Sequence, residues 1–459
     1  MSSAEAATKE GLQGRFKPYP AYKDSGVEWL GEVPEHWKVH RLKDLASVQL
    51  SNVDKKTLDG QVAVRLCNYT DVYYNDNIGD GLEFMEASAT PEQVQKFALR
   101  AGDVLITKDS ETWTDIAVPA VVAEDLPGVL CGYHLAHIRP KAGLHGPFLA
   151  RAFSAIGPRD QFHVAANGIT RYGLGGDAIA SGTLTLPPES EQRAIATFLD
   201  RETARIDALV AKKQRLIELL QEQRAALITR VVTKGLDPSV PMKESGVEWL
   251  GEIPAHWEIR PFTKYVKERA DYRGKTPTKV TSGVFLVTAR NIRMGLIDYE
   301  CSQEFVAEDE YDEIMRRGLP RIDDILFTTE APLGNVALVD REDIALAQRV
   351  IRFRVRPDIF NSRFTLNAMM SGYFQAQLKT LSTGSTAEGL KASKLPMLWL
   401  VAPPVLEQQT IAEAIQRETE KVRVLIECIS RAISRLEELR VALISAAVTG
   451  KIDVREDVV

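Results

Sequence analysis

Two stretches of the chain repeat apolar residues at the spacing of a long helix. No Pro or Gly interrupts residues 190–234 or 406–449, and apolar side chains recur there at alternating steps of four and three residues. The seam positions are Ile195, Leu199, Glu202, Ile206, Leu209, Lys213, Leu216, Leu220, Gln223 and Leu227 in the first stretch, and Ile411, Ile415, Glu418, Val422, Leu425, Ile429, Ala432, Leu436, Leu439 and Leu443 in the second. We expect Ser190 to cap the first helix. The pattern predicts two helices, each about 65 Å long, that pack seam to seam.

The remaining sequence has the shorter, mixed pattern of a globular α/β domain. Residues 41–185 and 260–400 contain brief apolar runs typical of strands, such as Gly132-Tyr-His-Leu-Ala-His-Ile-Arg139, bounded by turn-forming residues. We therefore predict an α+β fold in which two α/β-type globular domains are separated by two long antiparallel helices that form a coiled coil.

The chain is an internal duplication. Asp24-Ser-Gly-Val-Glu-Trp-Leu-Gly-Glu-Val-Pro-Glu-His-Trp37 returns 220 residues later as Glu244-Ser-Gly-Val-Glu-Trp-Leu-Gly-Glu-Ile-Pro-Ala-His-Trp257. Pro187-Pro-Glu-Ser-Glu-Gln-Arg-Ala-Ile-Ala196 returns 216 residues later as Pro403-Pro-Val-Leu-Glu-Gln-Gln-Thr-Ile-Ala412. Because both repeats keep the same order, the sequence predicts a pseudo-two-fold internal repeat, with the end of the second helix beside the N-terminal motif.

The two mixed blocks share only a faint skeleton. Gly102-Asp-Val-Leu-Ile106 resembles Asp323-Asp-Ile-Leu-Phe327, and His137-Ile-Arg-Pro140 resembles Arg354-Val-Arg-Pro357. One fold that carries two divergent surfaces is what two similar readers of two different ligands would require.

Charge and cysteine content narrow the classes of function only a little. The net charge is −6, but residues 260–400 carry 21 Lys and Arg against 18 Asp and Glu, so a basic patch for DNA is neither indicated nor excluded. The four cysteines are scattered without metal-ligand spacing, which favours reduced thiols in a cytoplasmic protein. His134 and His137 would point to opposite faces of a strand, so we expect no metal there.

The repeated motifs resemble those of one family. Gly-Val-Glu-Trp-Leu-Gly-Glu-Ile-Pro-x-His-Trp and Pro-Pro-x-x-Glu-Gln-x-x-Ile before a long helix, together with the ending Val448-Thr-Gly-Lys451, are similar to the signature of specificity subunits of type I restriction–modification systems, a bacterial defence. The similarity covers nearly the whole chain, twice.

The resemblance implies a role in DNA recognition without catalysis. Each mixed block would be a target-recognition domain for one half of a bipartite double-stranded DNA site. The helices would set the unread spacer and dock two methyltransferase subunits, to which restriction and translocase subunits attach. This chain would bind no cofactor, and S-adenosylmethionine, ATP and Mg would belong to partner subunits. The protein would be cytoplasmic, with no membrane contact.

The domain boundaries follow from the repeats. We expect, in order, a flexible lead-in (1–20), a Trp segment (21–40), target-recognition domain 1 (41–185), the central long helix (186–235), a linker with the second Trp segment (236–259), target-recognition domain 2 (260–400) and the C-terminal long helix (401–459).

The candidate DNA contacts are side chains with forked or basic donors and aromatic faces, which suit base edges and phosphates. In the first block they are Asn52, Lys55, Lys56, Asn68, Tyr69, Lys108, Trp113, Asn167, Thr170, Arg171 and Tyr172. In the second they are Arg273, Lys275, Thr276, Lys279, Arg290, Asn291, Arg293, Arg349, Ser385, Thr386, Lys391 and Lys394. Trp29, Trp37, Trp249 and Trp257 occur in both repeats, whereas specificity residues should differ, so we interpret these four as hydrophobic anchors.

Two other functions remain open on the sequence. A self-contained tandem-domain DNA methyltransferase should show matching catalytic residues in both blocks, and none is visible; the sequence also has no nucleotide-binding Gly-x-x-x-x-Gly-Lys-Ser/Thr loop. A coiled-coil scaffold that binds only proteins is the other alternative, and DNA binding separates it from a specificity subunit.

Overall fold

Two compact units make up the chain. A computed structural model describes residues 15–247, 250–272, 276–382 and 389–456. Unit 1 consists of the chain up to Lys213 together with the segment from Ser430, and unit 2 is the segment between them, Gln214–Ile429. The boundary falls inside both long helices, so each helix contributes to the core of both units.

Unit 1 is built from short strands, short helices and parts of both long helices. Its strands are Tyr22–Asp24, Glu32–Pro34, Lys38–Arg41, Ala46–Leu50, Val62–Cys67, Asn77–Ile78, Met85–Ala89, Val104–Thr107, Asp109–Ser110, Pro119–Val122, Val129–Cys131, Leu135–Pro140, Tyr172–Gly173 and Thr183–Leu186. Its shorter helices are Leu42–Leu45, Tyr69–Tyr73, Pro91–Phe97, Gly146–Ser154, Asp160–Ala165 and Gly176–Ser181, with a 3-10 turn at Trp113–Asp115.

Unit 2 repeats this arrangement with different loops. Its strands are Met242–Glu244, Glu252–Pro254, Glu258–Pro261, Val266–Asp271, Lys279–Val280, Val284–Val287, Ile292–Arg293, Leu296–Ile297, Phe305–Val306, Ile325–Thr328, Val336–Leu338, Ile344–Leu346, Val350–Val355 and Trp399–Ala402. Its shorter helices are Tyr311–Ile314, Ser362–Met370 and Gly372–Leu381, with 3-10 segments Phe262–Tyr265, Glu308–Glu310 and Ala392–Met397.

The main sheets of the two units have the same strand order. In unit 1 the order is Ala46–Leu50, Leu135–Pro140, Val104–Thr107 and Pro119–Val122, with a fifth, parallel strand at Asn77–Ile78. In unit 2 it is Val266–Asp271, Val350–Val355, Ile325–Thr328 and Val336–Leu338. The register also agrees: Thr107 lies opposite Leu135, as Thr328 lies opposite Val350.

The long helices are Glu189–Lys234 and Val405–Val448. In unit 1, Ile195 and Leu199 near the start of the first share a core with Leu443 and Ile444 near the end of the second. In unit 2, the end of the first helix shares a core with the start of the second. The helices therefore pack antiparallel in each unit. Buried apolar side chains from both helices form these contacts, as the seam predicts.

The start of the first helix differs from the prediction. Ser190 lies inside the helix and does not cap it, because Pro188 contributes the first backbone acceptor. The N–H groups of Glu191 and Gln192 both donate to the Pro188 carbonyl, at 2.9 and 3.0 Å.

Each Trp segment packs against the end of a long helix. Trp37 is fully buried, and a Cβ on Gly450 would lie 2.3 Å from Pro34 Cδ, so only glycine fits at this left-handed position. The Lys451 ammonium donates to the Leu30 carbonyl at 3.2 Å. In unit 2, Trp257 is likewise fully buried. These two tryptophans are anchors, as predicted.

The other two tryptophans of the repeated motif are Trp29 and Trp249. Trp29 is 41% exposed and lies against the backbone of Gly157, so it anchors the segment only along one face. Trp249 lies outside the described residues.

The predicted flexible lead-in is too long. Phe16 and Tyr19 are buried in the core of unit 1, and the Phe16 ring meets Phe198 edge-on with centroids 5.5 Å apart. The ordered chain therefore begins before residue 20, because these aromatic side chains cover the first long helix. In the described parts of the chain, no helix is apolar over a length that would span a membrane.

Candidate nucleic-acid interface

A buried aspartate directly precedes the central strand of the main sheet in each unit. In unit 1, Asp103 accepts hydrogen bonds from His137 at 2.8 Å and from Arg139 at 2.7 Å. Burial alone raises the pKa of Asp103, but these two partners outweigh burial and lower it to about 2. The network fixes the two central strands on which the exposed loops are mounted.

Unit 2 has the same network with a stronger base. Asp324 accepts from Arg352 at 2.9 Å and from Arg354 at 2.8 Å, and Arg352 is 1% exposed. Arg354, and not Arg356 as the sequence match implies, therefore corresponds to Arg139. The predicted match of His137 to Arg354 is wrong by two residues.

A buried glutamine joins each long helix to the loop before a short helix. The Gln192 amide donates to the carbonyls of Gly143 and Pro187, both at 2.9 Å, and accepts from His145 N–H at 2.8 Å. Gln408 makes the same three bonds with Ile359, Pro403 and Asn361, all at 2.8 Å. The Glu-Gln motif is therefore structural in both units.

Two predicted residues of unit 1, Lys108 and Arg171, meet at Asp109. Its carboxylate accepts from Lys108 at 3.2 Å, from His134 at 2.7 Å and from Arg171 Nε at 3.2 Å. Burial raises the pKa of Asp109, but the hydrogen bond from Arg171 and the charges of His134 and Lys108 lower it below its ordinary value. The Lys108 ammonium also lies 4.7 Å from the Tyr133 ring centroid. We call Lys108, Asp109, Tyr133, His134 and Arg171 the unit 1 cluster.

Aromatic side chains lie next to this cluster. Tyr69 stacks on Tyr73 with centroids 5.5 Å apart, and its hydroxyl donates to Ser110 at 3.4 Å. Trp113, 48% exposed, packs edge-on against His163. These rings offer apolar faces beside forked cationic donors, which suits contact with nucleic-acid bases.

A closed hairpin carries the last predicted residues of unit 1. Asn167 and Gly173 exchange both backbone hydrogen bonds, at 3.0 and 2.8 Å, and Tyr172 pairs with Ser110. Gly168 has φ +146°, and a Cβ there would lie 1.9 Å from the Arg171 carbonyl oxygen. The hairpin presents exposed Thr170 at its tip.

Four predicted residues of unit 1 belong neither to the cluster nor to the rings and hairpin described above. Asn52 accepts from the Gln93 amide at 3.2 Å, and Asn68 caps the helix Tyr69–Tyr73. Lys56 pairs with Asp54 at 3.3 Å, and Lys55 is exposed nearby. Asn52 and Asn68 are thus already engaged with the protein, whereas both lysines remain on the surface.

In unit 2, Arg349 takes the place that His134 holds in unit 1. Its guanidinium pairs with Glu330 at 3.2 Å, and both side chains are 48% exposed. Glu330 also forms a backbone bridge to Gly389. Thr276 donates to Gln348 beside this pair at 3.0 Å. Exposed Lys391 and half-buried Lys394 follow Gly389 in the chain.

A second group of predicted residues in unit 2 is organised by Asn291. Asn291 is fully buried, and its side chain bonds to Thr288 and to the carbonyls of Asp298 and Ser302, all within 2.9 Å. Its predicted direct contact with DNA is therefore wrong in this structure, because no polar atom of its side chain faces solvent. It holds the turn that exposes Arg290 and Arg293.

The remaining predicted residues of unit 2 either lie apart from these two groups or fall outside the described residues. Lys279 pairs with Glu304 at 2.8 Å. Arg273, Lys275, Ser385 and Thr386 lie outside the described residues. Asp109, Tyr133 and Glu330 are not among the predicted DNA contacts, which are chosen mainly as basic and amide side chains. The predicted match of Gly102-Asp-Val-Leu-Ile106 to Asp323-Asp-Ile-Leu-Phe327, extended by three residues, aligns Asp109 with Glu330 and is the signal that could have found both.

Over residues 15–247, 250–272, 276–382 and 389–456, no three His, Cys, Asp or Glu side chains are grouped to hold a metal ion. Exposed guanidinium groups lie on loops beside the main sheet in both units, and exposed aromatic rings accompany them in unit 1.

Comparison with known proteins identifies the family. The sequence profile of the family described as "Type I restriction modification DNA specificity domain" matches residues 34–219 and 292–425. The chain belongs to this family. This match confirms the predicted resemblance. It also confirms the predicted function in DNA sequence recognition, as a specificity subunit of a type I restriction–modification system.

Relatives of this specificity family align over different lengths. The putative type I restriction enzyme MjaX specificity subunit of Methanocaldococcus jannaschii is 22% identical over 93% of this chain and 96% of the relative. The type I restriction enzyme MjaVIII specificity subunit of the same organism is 26% identical over 59% of this chain, and that alignment spans 62% of the relative, less than two thirds of its length.

A solved structure shares the fold. A chain from the work described as "Structural basis underlying complex assembly and conformational transition of the type I R-M system" superposes with a TM-score of 0.68 and 14% identity, covering 90% of this chain and 98% of that one. The predicted fold class, with two α/β domains and two long antiparallel helices, is confirmed.

Proposed function

We propose that this chain is the non-catalytic subunit that reads a bipartite double-stranded DNA site, with one half-site for the domain at 41–185 and the other for the domain at 260–400. The observation that carries the proposal is the pairing of one scaffold with two surfaces. Both units have the same sheet register, buried carboxylate and glutamine link. Their exposed groups differ, as readers of two different half-sites require.

The exposed groups supply the chemistry for base recognition. Arg171 and Arg349 are each about half exposed and carry forked donors that match guanine in the major groove. Exposed lysines such as Lys55 and Lys391 suit phosphate contacts. Methylation and cleavage would be performed by partner subunits, which would hold S-adenosylmethionine, ATP and Mg.

The long helices would set the spacer and dock two methyltransferase subunits. Within unit 2, Leu216, Leu219, Val424 and Leu425 are 43–46% exposed, although two of them lie on the predicted seam. Apolar side chains this exposed near mid-helix suit burial against a partner protein.

In the decisive experiment, the full chain and its methyltransferase partner are produced together in a host cell, and the methylated adenines of the host genome are mapped. We expect one bipartite sequence with a fixed gap. In a gel shift with that duplex, affinity should fall steeply as salt rises, since phosphate contacts release counterions. Binding that ignores sequence, or no binding, would favour a protein-only scaffold, and methylation by the chain alone would favour a tandem methyltransferase.

The spacer role has its own test. Four residues added to each long helix lengthen it by about 6 Å, or roughly two base pairs. We expect the unread gap between the methylated half-sites to lengthen while both half-sites stay the same. An unchanged gap would contradict the proposed role of the helices.

A further inference from the structure

The same point of the fold carries an acidic side chain against a basic one in both units. Asp109 and Glu330 each lie two residues beyond the last residue of the central strand of the main sheet. Asp109 pairs with His134 at 2.7 Å, and Glu330 pairs with Arg349 at 3.2 Å. His134 and Arg349 both immediately precede the neighbouring strand, so the two pairs correspond in position while their residue types differ.

A third segment meets each pair. In unit 1, Gly173 of the hairpin pairs with Asp109, and the hairpin brings Arg171 to the same carboxylate. In unit 2, Gly389 forms a backbone bridge with Glu330. Three separate loops therefore meet at one acidic residue in each unit, through its carboxylate in unit 1 and through its carboxylate and backbone in unit 2.

Each carboxylate holds only part of a guanidinium. Asp109 accepts from Nε and Nη2 of Arg171, and the ion pair of Glu330 is with Nε of Arg349. Among the described residues, no acceptor is bonded to Nη1 of either arginine. The Nη2 of Arg171 also lies 3.0 Å from His134 Nδ1, so the Nη1 amino group is the part of that guanidinium left for a ligand. Because both arginine side chains are about half exposed, the Nη1 N–H groups can reach a ligand in a fixed orientation.

Electrostatics argues against phosphate binding as the purpose of these pairs. A carboxylate beside a cation lowers its attraction for phosphate, because the acid repels the DNA backbone. What the carboxylate provides instead is a fixed geometry, which matters for reading a base edge.

We propose that Asp109 and Glu330 are matched positioning residues for base discrimination. They hold Arg171 and Arg349 in the pose in which each guanidinium donates to a guanine, one in each half-site. The inference rests on the proposed function and adds the residues that set specificity within it.

The test uses Asp109→Asn and Glu330→Gln in the full chain with its methyltransferase partner. Methylated sites are mapped, and affinities are measured for cognate duplex and for duplexes altered at single base pairs. We expect Asp109→Asn to reduce discrimination roughly tenfold at one base pair of one half-site. Affinity for non-cognate duplex should rise, since one negative charge is removed. Glu330→Gln should act in the same way on the other half-site.

Two controls separate positioning from other roles. Exposed Glu111 lies near Asp109 in the chain, so Glu111→Gln should raise non-cognate affinity without changing the site read. In an Arg171→Ala background, Asp109→Asn should cause no further relaxation, because Asp109 acts through Arg171. Further relaxation there would mean that Asp109 contacts the base itself, and would overturn the inference.

The remaining outcomes are also decisive. A uniform loss of methylation at every site would assign Asp109 and Glu330 a merely structural role and overturn the inference. If the wild-type chain reads a bipartite site and both variants read it unchanged, only this inference fails. If the wild-type chain reads no bipartite site, the proposed function itself fails.

Discussion

Units 1 and 2 differ most where they are exposed and least where they are buried. The buried carboxylate has two basic partners in both units, but His137 in unit 1 is replaced by Arg352 in unit 2. On the loops beside the main sheet, unit 1 carries a half-exposed arginine with a lysine, a histidine and several aromatic rings, whereas unit 2 carries the exposed arginines Arg290, Arg293 and Arg349. The duplication thus preserved the frame and let the surface diverge, as expected if each surface recognises its own sequence.

Removal of the buried carboxylates should give the largest loss of stability in this comparison. Asp324→Ala should cost about 3–5 kcal/mol, because it removes the buried partner of Arg352 and leaves that buried charge with only the longer 3.6 Å contact to Glu268. Asp103→Ala should cost only about 1–3 kcal/mol, since the charged partner in unit 1, Arg139, is 31% exposed and stays in contact with water. Hydrogen exchange of core amides measures each unit separately, which is necessary because a chain of two units need not unfold in one step.

The glutamine links are the matched control for that pair. Gln192→Ala and Gln408→Ala remove the same three hydrogen bonds, so their costs should agree closely. A cost for Asp103→Ala equal to that of Asp324→Ala would contradict the distinction drawn between a partly exposed and a buried guanidinium partner.

Acid should weaken unit 1 through Asp103. Its pKa of about 2 in the folded chain is below the ordinary value of 3.8, so the stabilisation is fully present above about pH 4 and is lost as pH falls through 2. The effect amounts to about 2 kcal/mol. Unfolding of wild type and Asp103→Asn should be compared from pH 5 to pH 2, where the difference between them should narrow by that amount. A constant difference would show that the ionised form is not the stabilising one.

The smallest expected effect concerns the two ion pairs of Arg151 in unit 1. Arg151 pairs with both Asp76 and Asp200 at 2.9 Å, whereas Gln416 of unit 2, which corresponds to Asp200, accepts a hydrogen bond from Arg363. Asp200→Gln should cost at most about 1 kcal/mol and reduce the salt dependence of unit 1 stability. Urea unfolding at low and high salt checks this, with Gln416→Glu as the converse change in unit 2.

The sequence was most informative where its pattern was dense. Both long helices and the duplication could be predicted because dozens of positions repeat, and buried Trp37 and Trp257 follow from their recurrence in both copies. The strand match of His137 was wrong by two residues because such a shift leaves every side chain on the same face of the sheet. Hydrophobic periodicity therefore cannot detect it.

The candidate site was harder to predict for a different reason. Lys108 and Arg171 are predicted contacts and do lie near one another, but their common partner Asp109 is not predicted, because its neighbours come from three distant segments. Asn291 has the residue type of a base reader, yet its burial depends on a loop whose path the local sequence does not reveal. Such sites depend on tertiary contacts that no short motif records.

The two described ends of the chain lie side by side in unit 1. The Asp453 N–H donates to the Lys17 carbonyl at 2.8 Å, and Lys17 pairs with Glu456 at 2.9 Å. A short linker could join them, while residues 236–239, exposed and outside any helix or strand, offer a place to open new ends. The polypeptide is therefore suited to circular permutation, in which the order of its two repeats would be exchanged without cutting through a folded element.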